Sequence, residues 1–111
     1  RLITLFQTPE SLAYVRLVIS ASGKFPELGR AFYEAGPAYA IGKLSVYLES
    51  KMDDGTLKRR DPKLTATQFI DLMQSGITKP CLFGIESIAD QLGIEAVVDS
   101  AIELFLGGMR A

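Results

Sequence analysis

The stretch Phe25-Pro26-Glu27-Leu28-Gly29-Arg30-Ala31-Phe32-Tyr33-Glu34-Ala35-Gly36-Pro37 decides the fold class. A proline opens it, a glycine stops it, and a second proline follows at once. Proline suits the first position of a helix because its φ is already helical and its missing N–H would be unpaired there. Pro26 therefore predicts a helix over 26–35 that ends at Gly36, and Pro37 predicts the start of the next. The same punctuation recurs outward. Thr8-Pro9-Glu10 offers an N-cap, a proline at N1 and an early acid, and Asp61-Pro62 repeats cap-then-proline. Pro80 reads instead as the close of the fourth helix.

The helices follow from these starts. The 9–22 segment is apolar on nearly every face except a line through Arg16, Ser20 and Gly23, which predicts a central helix. Its Val15–Ile19 run also suits a buried strand, but its length and the lack of any other strand-like run argue against one. The 37–54 helix carries Ala40, Ile41, Leu44, Leu48 and Met52 at helical spacing, and Gly55 fits a left-handed C-cap. A polar connector, 56–60, leads to a helix over 62–79 with the stripe Ala66, Phe69, Ile70, Met73 and Ile77. The 80–90 stretch reads as a loop. A last helix starts at Gln91 or Ile94 and reaches Leu106, with Gly107-Gly108 as its terminator. The lead-in, 1–7, reads as the tail of a longer helix. The expected fold is all-α, one domain over 1–111 of about five helices.

Composition excludes more chemistry than it suggests. The 111 residues are 48% hydrophobic and 23% charged, which is globular rather than disordered. Mean hydropathy is +0.20, high for a small chain, so some apolar surface is expected to face a partner. Histidine is absent, which removes Ser-His-Asp and Cys-His catalysis and His-ligated metal sites. The single cysteine, Cys81, can form neither an internal disulfide nor a cysteine-rich metal site. No nucleotide-binding glycine pattern is present. No enzyme, cofactor or metal site is expected. A net charge of −1 makes this chain a poor ligand for nucleic acid by itself. No apolar run approaches roughly 18 residues, so no membrane partner is expected.

Two constellations remain. The 62–79 helix has Gly76 in its middle, at a cost of about 1 kcal/mol relative to alanine, which asks for a packing reason. The last helix has Ala101 centrally on its apolar face. Two long helices with wide apolar stripes and small central residues suggest a self-associating pair, doubled across a two-fold axis into a four-helix interface. Its candidate residues are Phe69, Met73, Gly76, Ile77, Val98, Ala101, Ile102 and Phe105. The same stripes would equally serve one intrachain core. The second constellation is aromatic. Tyr14, Val18, Phe32, Tyr39, Tyr47 and Gln68 are candidates to line an apolar cavity for a small molecule, against a reading as ordinary core and rim residues. Arg16 would bind an anion there, or reach water or a carboxylate. Glu95, Asp99 and Glu103 read as a solvated acidic face, Lys58-Arg59-Arg60 as a solvated loop, and Cys81 as a half-buried structural thiol.

The block Arg16-Leu17-Val18-Ile19, Phe25-Pro26-Glu27-Leu28 and Arg30 through Pro37 resembles the C-terminal domain of TetR-family transcriptional regulators, most closely the AefR-like subgroup. Asp61-Pro62 with Gln68-Phe69, and Val97-Val98-Asp99 with Leu104-Phe105-Leu106, match more weakly. The resemblance implies a homodimer built on the last two long helices and a cavity for a small apolar or amphipathic effector. It also implies a repressor whose DNA-binding helix-turn-helix lies N-terminal to this chain and is absent from it. DNA would be bound only through that absent unit. A cytoplasmic location is expected from the lack of export signals and from the resemblance. The competing reading is a helical oligomerisation or adaptor module with no small-molecule site.

Overall fold

A computed structural model describes residues 9–111, so the lead-in over 1–7 lies outside the described residues. The described elements are α1 (Pro9–Ser22), α2 (Pro26–Ala35), α3 (Pro37–Asp53), α4 (Pro62–Met73), α5 (Thr78–Leu82), α6 (Ile88–Leu92) and α7 (Ile94–Met109). The only β pairing among the described residues is an isolated antiparallel bridge between Leu57 and Arg110. The all-α expectation holds, and each proline-marked start is where the sequence places it. At Asp61 the cap is explicit: the backbone is extended, and the carboxylate accepts the Leu64 N–H at 2.9 Å. Gly55, at φ +85°, closes α3 in the left-handed region.

Three helices make the main core. α3 and α4 pack along each other and α7 packs on α4. Between them lie Ile41, Leu48, Met52, Ala66 and Met109, joined by Leu57 from the connector. A second, smaller cluster holds Ile77, Ala89 and Val98, with Met73, Cys81, Ile94 and Val97 packed around it. On the other side α1 and α2 form a pair. Their rings meet at Tyr14 and Phe32, with centroids 5.6 Å apart, and Gly29 lies close against Ser22.

Four expectations need correction. The 62–79 helix is broken: α4 stops at Met73, residues 74–77 turn, and α5 starts at Thr78. Gly76 sits in that turn at φ +74° and not in a helix, so its reason is backbone conformation rather than a helix crossing. The 80–90 loop contains the end of α5 and the start of α6. There the Ser87 N–H donates to the Asp90 carboxylate at 2.8 Å, half of a capping box. Gly107-Gly108 does not terminate α7, which continues to Met109 because Met109 is buried and its carbonyl accepts the Lys58 N–H at 2.7 Å. Finally, α1 is peripheral. Val15 and Val18 are buried, but Tyr14, Leu17 and Ile19 are exposed.

The result is a slab of 44 × 36 × 18 Å. Its radius of gyration is 15.5 Å, against roughly 13 Å for a compact chain of this length. It exposes 7413 Å², where a compact monomer of this mass exposes roughly 6,000 Å². Among the described residues no helix is long and apolar enough to cross a membrane.

Candidate functional site

A groove of about 460 Å³ with mostly apolar walls lies where α3, α4 and α7 meet. α3 supplies Leu44, Tyr47, Leu48 and Lys51, and α4 supplies Phe69. α7 supplies Ile102, Phe105 and Leu106, and Thr56 with Leu57 closes one end. The Leu57–Arg110 bridge fixes that end wall, so the groove depends on the connector as much as on the helices. Phe69 and Phe105 meet edge to face in it, with centroids 4.5 Å apart. Its volume falls within the range of small-molecule sites.

Polar groups collect at one rim. Lys51 Nζ lies 5.6 Å from the centroid of the Tyr47 ring and 3.8 Å from Asp54 Oδ2. The Thr56 hydroxyl donates to Asp54 Oδ1 at 2.6 Å, and the Thr56 N–H donates to the same oxygen at 2.9 Å. The Thr56 hydroxyl first, and its N–H second, hold the Asp54 carboxyl below its ordinary pKa.

The expected cavity residues do not converge. Tyr14 and Phe32 pair on α1 and α2, and Val18 is buried in α1. Tyr39 is 62% exposed and lines a shallow trough on the outer side of α3 with Gly42, Lys43 and Val46; Lys43 Nζ lies 5.7 Å from the Tyr39 ring. Gln68 is exposed on α4 and outside the groove. Tyr47 alone of that set reaches the groove, where it meets Phe69, Ile102 and Phe105 from the set expected at a dimer seam. Within that second set, Ile77, Val98 and Ala101 are buried inside the chain, while Ile102 is 37% exposed and Phe69, Met73 and Phe105 are half-buried.

Arg16 takes a role the sequence did not suggest. Its Nη2 donates to the Cys81 carbonyl at 2.7 Å and its Nε to the Leu82 carbonyl at 3.1 Å. It thus caps the C-terminus of α5 and ties it to α1. Glu95, Asp99 and Glu103 are exposed, Arg59 pairs with Asp53, and Cys81 is half-buried beside the second cluster. Among the described residues no group of acids, cysteine or histidine could hold a metal ion. Sequence reasoning missed Lys51, Thr56 and Leu57. The one available signal was Leu57, a lone apolar residue in a charged connector.

Prolines opening four helices, a break after the fourth, a long final helix and a groove between helices define an all-α helical domain. The profile of the AefR-like transcriptional repressor C-terminal domain matches residues 1–108, and the chain belongs to that family. Two solved structures are similar. One, the flavonoid-responsive regulator FrrA, is 29% identical with a TM-score of 0.82 over 97% of this chain and 55% of its own. The other, from Mesorhizobium loti, is described as a TetR-family transcriptional regulator. At 24% identity, a TM-score of 0.87 and coverage of 100% and 55%, it shows the fold alone. The chain spans about half the length of these structures. No curated protein matches it.

Proposed function

We propose that this chain is the dimerising, effector-sensing domain of a TetR-type transcriptional regulator. In the whole protein an effector bound here would set operator occupancy by a helix-turn-helix unit. The observation that carries the reading is the unspent surface. The slab exposes over 1,000 Å² more than a compact chain of its mass, and a standard interface buries roughly 800 Å² per partner. The seam is the α4–α7 side, with Ile102 at its surface and Phe69, Met73 and Phe105 behind it; Ile77, Val98 and Ala101 support it from within the chain.

The groove opens beside that seam and shares Phe69, Ile102 and Phe105 with it, so it is the proposed effector site. An effector that prefers one dimer geometry would shift the operator-competent population by its differential affinity. Half-site spacing on DNA makes that geometry matter. The relative described as flavonoid-responsive supports an aromatic effector, which the Phe69–Phe105 pair and Tyr47 suit.

Native mass spectrometry of the chain tests this. A mass twice 12.1 kDa is expected, with Ile102→Glu returning it to the monomer. A wild-type monomer throughout the micromolar range would overturn the dimer. A dimer that takes up no aromatic small molecule would favour the adaptor reading instead.

A further inference from the structure

We infer that the α3–α4–α7 groove takes an organic anion: an apolar, partly aromatic body on Leu48, Leu57 and the Phe69–Phe105 pair, and one acidic group at Lys51. This rests on the reading of the groove as the effector site and adds the charge of the effector.

The argument starts from the lining. Among the described residues Lys51 is its only ionisable side chain apart from the Tyr47 phenol, and the remaining walls are apolar save Thr56. A lone cation at the mouth of an apolar groove orients a ligand by one end. Lys51 lies 5.6 Å from the Tyr47 ring centroid and keeps donors for a ligand. An ammonium has three donors, and its recorded polar partner is Asp54 Oδ2 at a loose 3.8 Å. Asp54 is held by its other oxygen, which accepts both the hydroxyl and the N–H of Thr56. That carboxylate is therefore fixed to the connector, and Lys51 can turn toward a ligand without stranding it.

Asp54 also sets a limit. It leaves one uncompensated negative charge once Lys51 engages a ligand, so a second acidic group would meet repulsion and a monoanion is favoured. The neighbouring Asp53 is paired with Arg59. The occupant is a small molecule rather than a second copy because the feature is walled at the Leu57 end by the bridge to Arg110. A pit of about 460 Å³ fits two or three fused or linked rings, whereas a flat helix face from a second copy would span its mouth.

Two fluorescent probes with one ring body test the inference. 1-Anilinonaphthalene-8-sulfonate carries one acidic group, and N-phenyl-1-naphthylamine carries none. Titrated into the 111-residue chain, the sulfonate is expected to bind about tenfold tighter, the size of one screened charge-assisted contact. Lys51→Gln should remove that advantage and leave the neutral probe unchanged. Lys43→Gln, on the same helix but outside the groove, should change neither. Ile102→Ala should weaken both probes alike. Equal wild-type affinities, or equal losses for Lys51→Gln and Lys43→Gln, would overturn the anion assignment. The groove would then stand only if Ile102→Ala still weakened both. Indifference of both probes to Ile102→Ala would overturn the groove as well. Loss of probe binding as the chain is concentrated into its dimer would assign the groove to the second copy and sink the inference.

Discussion

Gly29 lies inside α2, where replacing glycine by alanine ordinarily stabilises a helix by about 1 kcal/mol. Here the expectation reverses. A Cβ built on Gly29 would stand 2.5 Å from Ser22 Oγ and 2.9 Å from Ser22 Cβ. The Oγ could rotate away, but the Cβ is fixed to the α1 backbone, so α1 and α2 must separate. Overpacking of this kind costs roughly 1–3 kcal/mol. Gly29→Ala should therefore destabilise the chain by about 1 kcal/mol net, or about 4–8 °C in melting temperature. Ser22→Gly removes both clashing atoms and leaves only the Ser22 Cα at an ordinary 3.9 Å. In that background Gly29→Ala should stabilise. The assay is a double-mutant cycle by thermal or urea unfolding at fixed protein concentration, since association would move the midpoint. A coupling below about 0.5 kcal/mol would refute the close approach of α1 and α2 at this point.

Other outcomes follow from single contacts. Arg16→Met removes both caps on α5 and should cost about 1 kcal/mol at this exposed site, with faster amide exchange over 78–85. Unchanged exchange there would mean the cap does not hold α5. Gly76→Ala should cost roughly 1–2 kcal/mol because φ is +74°, with Ile88 Cγ2 crowding the new methyl at 3.1 Å. Its loss should be the same at low and high protein concentration; a loss confined to the dimer would restore a crossing role for Gly76. Asp54 has a lowered folded pKa, so its contribution is complete above the ordinary value of 3.8 and fades as pH falls through the folded value. The stability gap between wild type and Asp54→Asn should therefore be flat near neutrality and close below about pH 4. A gap that widens in acid would contradict that sign.

Helix starts were legible because proline acts through its own ring and the missing N–H, which need no partner. Pro9, Pro26, Pro37 and Pro62 each open a helix. Helix ends were less so, because distant contacts decide them. At Gly76 the sequence offers two readings, a costly helical residue or a cheap left-handed one, and Ile88 on α6 lies against the second. At Gly107-Gly108 the local signal is a stop. The Lys58 N–H, more than forty residues away in sequence, gives the Met109 carbonyl a partner and the helix runs on. The site was hardest to read. Periodicity placed Phe69, Ile102 and Phe105 on apolar stripes but did not say whether a stripe faces its own chain, a ligand or a copy. Tyr39 and Tyr47 share one helix eight residues apart, yet only Tyr47 reaches the groove, because the Thr56–Leu57 wall stands beside its end of α3.

The overlap between the groove and the α4–α7 seam has a thermodynamic consequence. Phe69 and Phe105 touch edge to face, so neither ring can shift for a ligand without disturbing the packing of α4 on α7. If the groove binds the proposed effector and the chain dimerises through the proposed seam, filling the one would not be independent of the other. Whatever factor the dimer contributes to effector affinity, the effector must contribute to dimer affinity, since the two are one coupling free energy. α1 lies outside this core but is not detached from it. Arg16 joins it to α5, and α5 follows α4 after only the four residues of the Gly76 turn. Strain at the groove thus has a short covalent and hydrogen-bonded route to α1, and it does not pass through the pair that α1 makes with α2. On the proposed function, that route would make α4, α5 and α7 the responsive part of the domain.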